Sequence, residues 1–235
     1  MNASRQSPSP RSDTGMTDAH IGDSLDHRFS RHFDVREVGD ERRALQQFIQ
    51  DCFLQMHGAR IEHFMPRLLS LRTEHGALLA AFGLRSAGSE PLFLESYLDQ
   101  PIEQVLAKRF GMPVRREEII EVGNLSAVHA GATRWLIIAV TMLLHREGYK
   151  WITFTGTNLV RNGLQRLGLV PYELGAAEIG RLPAAERGQW GNYYSQNPVV
   201  MTGQVAHGYQ ALSAHQGLFK LLGALVGSQP GCETA

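Results

Sequence analysis

Residues 118–148 read EIIEVGNLSAVHAGATRWLIIAVTMLLHREG, and this stretch decides the fold. In Glu118–Leu125 the apolar residues Ile119, Ile120, Val122 and Leu125 mark a strand. Gly123 interrupts it, and a mid-strand glycine signals a bulge or a close backbone approach. A turn of mostly small residues, His129-Ala130-Gly131-Ala132-Thr133, leads into a helix over Arg134–Glu147, which Gly148 ends. Within it Trp135–Leu144 is the longest apolar run of the chain. Such a run spans about 15 Å as a helix, half of a ~30 Å hydrocarbon core, so it predicts a buried helix and no membrane span.

The flanks extend this strand–turn–helix pattern. Upstream, Phe33–Val38 alternates as a strand. Asp40 then offers a cap for an amphipathic helix through Ala44, Leu45, Phe48, Ile49, Cys52 and Phe53, ending near Gly58. Pro66–Leu84 predicts a hairpin that turns at Thr73–Gly76, and Leu92–Leu94 a short strand. Pro101 opens a further helix that Gly111 stops. Downstream, Trp151–Phe154 is a buried strand, Asn158 caps a helix that closes at Gly168, and Leu169–Leu174 returns as a strand. The aromatic cluster Trp190, Tyr193 and Tyr194 precedes a last strand, Pro198–Val205. This order predicts an α/β (α+β) domain with a mixed central sheet of six or seven strands flanked by helices. The expected division is a disordered leader over 1–30, one domain over 31–205 and a helical tail over 206–235, with Met16 a second candidate start.

Composition narrows the function. Lys and Arg number 23, as do Asp and Glu, so the formal charge is zero and nucleic-acid binding by charge alone loses support. Cys52 and Cys232 form neither a metal spacing nor a disulfide framework, and a reducing cytoplasm fits them best. The polar leader lacks the apolar run of a signal peptide. The histidines are scattered, so no metal is expected. No serine-hydrolase elbow, phosphate-binding loop or dinucleotide fingerprint occurs. In the tail, Leu218–Val226 reads as a helix that packs on the body, lies on a membrane surface or joins a second copy of the chain as a homodimer.

The candidate site follows from two strands that both end in glycine-containing turns. Gly and Ala at Ala130, Gly131 and Ala132, with Thr133 and Arg134, leave helix N–H groups open to an anion such as a pyrophosphate. Phe154-Thr155-Gly156-Thr157-Asn158 repeats the theme on the next strand. Arg161, Asn162 and Arg166 lie on the helix there, with Arg161 and Asn162 candidates for a phosphate or a substrate amide. The acid–base candidates are Glu121, Glu95, Asp99 and Glu103; Glu121, just before Gly123, takes a proton from an amine if burial raises its pKa toward 7.

Several separated strings resemble the bacterial thermostable hemolysin family. They are Met65–Arg72, Pro91–Asp99, Glu121–Leu125, Phe154–Thr157 and Arg166–Leu169, together covering about 66–205. That family is in turn similar to the GCN5-related N-acetyltransferase (GNAT) fold and to acyl-homoserine-lactone synthases. The resemblance implies that Glu118–Leu125 splays from its neighbour to admit a pantetheine, with the pyrophosphate at the N-terminus of the following helix. It also implies that Asn158–Leu169 lies near the thiol. The usual turn pattern Arg/Gln-x-x-Gly-x-Gly/Ala is here Ala127-Val128-His129-Ala130-Gly131-Ala132, without the leading Arg or Gln, and Tyr172 comes later than the usual tyrosine.

The first function expected is an acyltransferase acting from an acyl-CoA or acyl carrier protein on a small amine. Its catalytic candidates are Glu121 and Asn124, and backbone N–H groups at Gly123–Leu125 polarise the thioester. Gly123, Leu125, Ala130, Gly131, Ala132, Thr133, Arg134, Gly156, Asn158 and Asn162 would hold the acyl-pantetheine donor. A membrane-active lytic protein and a non-catalytic binding module are the alternatives.

Overall fold

The computed structural model describes residues 33–37, 41–73 and 75–214. Seven strands form one sheet in the order β1-β2-β3-β4-β5-β7-β6. They are β1 Phe33–Glu37, β2 Arg67–Thr73, β3 Leu78–Ser86, β4 Ile119–Ala127, β5 Trp151–Gly156, β6 Tyr172–Ala176 and β7 Val199–Gln204. The helices are α1 Arg42–His57, α2 Ile102–Phe110, α3 Ala130–Arg146, α4 Asn158–Arg166, α5 Ala184–Arg187 and α6 Val205–Ser213. All neighbouring strands run antiparallel except β4 and β5. That pair is parallel because α3 crosses between them.

Two apolar clusters cover one face of the sheet. In the first, Leu45 and Ile49 of α1 pack with Ile61, Met65, Leu68 and Ala81. In the second, Leu94, Tyr97, Ile102 and Leu106 pack on Ile119, Trp151 and Val200. Ile120 and Val122 alternate with Ile119 and Glu121 and so face the other side, where α3 packs on β3 and β4. Ten residues of α3 are buried, Leu136, Ile138 and Leu144 among them. Full burial of each such side chain stabilises by about 1.5–3 kcal/mol, which is why the longest apolar run sits at the centre.

The expected seven-strand limit, the hairpin and the buried α3 are present, and several local readings change. Leu92–Leu94 is no strand; a 3-10 turn over Phe93–Tyr97 takes its place. Its N–H groups go to carboxylates rather than to a ladder: Leu92 to Glu95 at 2.8 Å, Phe93 to Glu121 at 2.8 Å and Leu94 to Glu121 at 3.0 Å. The helix α3 begins at Ala130, four residues before Arg134, because His129 caps it. Thr157, not Asn158, holds the N-cap position of α4, and α1 starts after Glu41 with no side-chain cap bond. The strand expected at Leu169–Leu174 forms later, at Tyr172–Ala176. The leader and Leu218–Val226 lie outside the described residues.

Candidate functional site

The site begins where β4 and β5 part. Their ladder runs from Ile119↔Trp151 to Val122↔Phe154 and stops. Beyond it β4 pairs only with β3, as far as Ala127↔Ala80, and β5 only with β7, as far as Gly156↔Val199. The cause lies in β4: between Gly83↔Gly123 and Ala81↔Ser126 it carries an extra residue. The bulge falls at Asn124, which adopts φ +51, a conformation costly for a residue with a side chain. Gly123 was the sequence signal, and its neighbour carries the distortion.

Asn124 holds its place through its amide. Its Oδ1 accepts the Met65 N–H at 2.8 Å, and its Nδ2 donates to the His63 carbonyl at 3.3 Å. Arg42 donates to the carbonyls of Met65 and Pro66, each at 2.9 Å. The chain entering β2 is thereby clamped over the bulge, and Asn124 acts as a clamp on Met65.

Glu121 is 2% exposed and faces inward beside the opening. Burial pushes its pKa up to about 7, against the pull of the Phe93 and Leu94 N–H groups and of Arg85. It is thus a carboxyl poised to gain or lose a proton near neutrality. The other acidic candidates sit elsewhere. Glu95 accepts from Leu92, from Ile102 at 2.8 Å and from Arg116 at 2.7 Å. Burial pushes its carboxyl up, and Arg116 and the two N–H groups outweigh that and hold it low. Glu103 shares Arg116 at 2.6 Å, and Asp99 pairs with Arg181. All three are held in ion pairs, and Glu95 and Asp99 line a groove of about 630 Å³ together with Pro101 and Glu117.

A roof of aromatic rings packs on Phe93, whose backbone N–H donates to Glu121. Trp190 lies 5.9 Å from Phe93, 5.5 Å from Tyr193 and 5.7 Å from Tyr194, centroid to centroid, and packs against both apolar clusters. Tyr97 and Tyr194 share a hydroxyl–hydroxyl bond. Burial pushes Tyr194 up to about 12 and Tyr97 above the usual phenol range. Gly191, at φ +51, lets this segment reach α1: a Cβ there would stand 2.1 Å from the His57 carbonyl. The sequence marked Trp190, Tyr193 and Tyr194 as a cluster without placing it against Phe93. Only the long-range docking of residues 177–198 does that.

The walls of the opening carry buried polar atoms that lack partners among the described residues. These are Ser126 Oγ on β4 and Thr155 Oγ1 on β5; Trp190 Nε1 in the roof is a third. Such groups are rare in folded proteins and favour a ligand with hydrogen-bonding groups. Leu125, half-buried on β4, lines the same strand.

The turn into α3 differs in detail from expectation. The Ala132 N–H is taken, by His129 Nδ1 at 3.1 Å and the His129 carbonyl at 3.0 Å, and the Thr133 N–H by that carbonyl at 3.2 Å. The exposed residues Ala130 and Gly131 supply the first-turn donors that remain at the helix mouth. Arg134 is exposed one turn on. Gly156 serves packing: a Cβ there would lie 2.9 Å from Met201 Cε and 3.1 Å from Val160 Cβ. Asn158 and Asn162 are exposed on α4, and Arg161 pairs with Glu173 on β6. The apolar side chains of Val128 and Leu159, 48% and 57% exposed, follow β4 and β5 at the open ends. Among the described residues there is no cluster of metal-ligating side chains and no helix long and apolar enough to cross a membrane.

The family described as thermostable hemolysin matches residues 35–209. No curated protein matches the chain. Among solved structures, FeeM, an N-acyl amino acid synthase from uncultured soil microbes, superposes with a TM-score of 0.54 at 13% identity over 79% of this chain and 97% of its own. BjaI, a CoA-dependent acyl-homoserine lactone synthase solved with SAM and isopentyl-CoA, gives 0.52 at 15% identity over 82% and 89%. TofI, in a ternary complex with an inhibitor and MTA, gives 0.51 at 13% identity over 80% and 99%. At these identities the likeness establishes the GNAT-like fold.

Proposed function

The chain belongs to the thermostable hemolysin family, and from that premise we propose that it is a cytoplasmic N-acyltransferase. It moves an acyl group from an acyl-CoA or acyl carrier protein thioester to a small amine. One observation carries the reading: the β4–β5 ladder ends at Val122↔Phe154 beside a buried carboxyl with a pKa of about 7. That break leaves backbone groups of β4 unpaired on one side, where a pantetheine arm can bond as a strand does. The names of the fold neighbours favour the same class, since FeeM and BjaI are acyl-transferring synthases.

In the proposed step the amine nitrogen attacks the thioester carbonyl carbon. A C–N bond forms, the C–S bond breaks and the thiolate leaves. Glu121 takes the amine proton, directly or through water, and passes it on to the thiolate. An N–H at the Gly123–Leu125 bulge stabilises the developing oxyanion, the kind of preorganised donor worth about 3–4 kcal/mol in other enzymes. The donor phosphates take the Ala130 and Gly131 N–H groups at the mouth of α3, where the helix dipole contributes roughly 0.3–1 kcal/mol. Asn124 contributes by keeping the bulge open.

A non-catalytic binding module is the competing reading. The two backbone N–H groups on Glu121 favour it, because they occupy the carboxylate. Purified protein screened against acyl-CoAs and acyl carrier proteins by thermal shift and mass spectrometry separates the two. The acyltransferase reading expects a rise in melting temperature with a donor and an N-acyl product when amines are added. A thermal shift with no product under any amine supports the binding module.

A further inference from the structure

Met65 lies across the floor of the opening. A Cβ on Gly83 would stand 2.4 Å from Met65 Cβ, and one on Gly123 would stand 2.3 Å from Met65 Cε. Gly83 and Gly123 are cross-strand partners, so the thioether runs over two facing glycines. Its methyl ends at Gly123, the first residue of β4 beyond the β5 ladder. Both strands give up their side chains where this one passes. The Met65 backbone is fixed by Asn124 and Arg42, whereas its side chain is unbranched and adaptable. Behind it stand Ile61, Leu68, Ala81, Leu45 and Ile49, an apolar lining between α1 and the sheet.

We propose that Met65 is a specificity-determining residue that sets how long an acyl chain the site accepts, a proposal that rests on the acyltransferase reading. A thioester carbonyl held at the bulge directs its acyl chain along β4, on the face that carries Gly123. The first group it meets is the Met65 methyl. A short chain stops there; a longer one must displace the thioether toward the apolar lining. Hydrocarbon suits that lining, so the substrates are aliphatic acyl groups, with length set by the thioether.

The test is the rate of amine-dependent thiol release across a series of straight-chain acyl-CoAs. Met65→Ala removes the three heavy atoms beyond Cβ, so its optimum shifts to donors about three carbons longer, with at least a tenfold gain in kcat/KM for those donors relative to the parent. Met65→Leu keeps the core volume but ends one atom short of Gly123, so it folds even where the alanine variant does not, and it shifts the optimum by about one carbon. Gly123→Ala, whose Cβ competes with the Met65 methyl, moves the optimum toward shorter donors. Turnover with an unchanged length profile in Met65→Ala, or in Met65→Leu where the alanine variant fails to fold, overturns the role of Met65 and leaves the acyltransferase reading standing. No turnover by the parent protein with any donor overturns both.

Discussion

Phe93 donates its backbone N–H to Glu121 Oε2 at 2.8 Å, tying a 3-10 turn to a carboxyl that burial pushes up to about 7. The bond links a fold feature to the proposed chemistry: burial raises the carboxyl's proton affinity, and the two N–H groups of the turn pull it back down. Loss of this contact moves stability and reactivity together.

A carboxyl whose pKa is raised by folding holds its proton more tightly in the native state. Its stabilising contribution is fully present below the unfolded value near 4.5 and is lost as pH rises through about 7. The shift corresponds to about 3 kcal/mol at most. Urea denaturation of the parent and Glu121→Gln from pH 4.5 to 8 is expected to show the parent losing stability relative to the variant over that window. Parallel pH profiles contradict the assignment.

Glu95 behaves in the opposite sense. Its carboxyl is held low by Arg116 and two N–H groups, so its contribution is present above the unfolded value and lost as pH falls through the depressed one. Glu95→Gln is expected to cost about 1.5–3 kcal/mol at pH 7 and less at pH 3, read by chemical denaturation.

Much of the fold is legible along the chain because it is written in local patterns. The β4–α3–β5 order follows from residues 118–156, where an apolar run, a small-residue turn and a second apolar run succeed one another. The turn over Phe93–Tyr97 is not legible, because Leu92-Phe93-Leu94 has the apolar content of a strand. Glu95 and, from β4, Glu121 decide its conformation by taking its N–H groups. Glu121 itself is legible as a candidate from its place before Gly123. The aromatic roof and the Met65 floor depend on contacts more than 50 residues apart along the chain, which periodicity does not record.

Asn124 offers a test of the bulge. Asn124→Ala loses both amide bonds and keeps the left-handed backbone, whereas Asn124→Gly loses the bonds and relaxes the backbone. The glycine variant is expected to be more stable than the alanine one by about 1 kcal/mol, with both below the parent. Equal stabilities by thermal denaturation reject strain at this position.

At the mouth of α3, Gly131→Asp places a carboxylate beside the Ala130 and Gly131 donors. The helix gains a favourable charge near its N-terminus, so the fold is expected to be retained, while donor phosphates are repelled. Isothermal titration is expected to show acyl-CoA affinity reduced by at least about tenfold. Unchanged affinity removes the phosphates from this turn.

The most direct test is the rate of thiol release from an acyl-CoA by the purified protein with a primary amine, compared with Glu121→Gln. The proposed mechanism predicts amine-dependent release by the parent, rising with pH to a plateau above about 7, and a loss of roughly 10²-fold or more in kcat in the variant with donor affinity kept. Release that does not depend on the amine, or an unchanged kcat in Glu121→Gln, contradicts it.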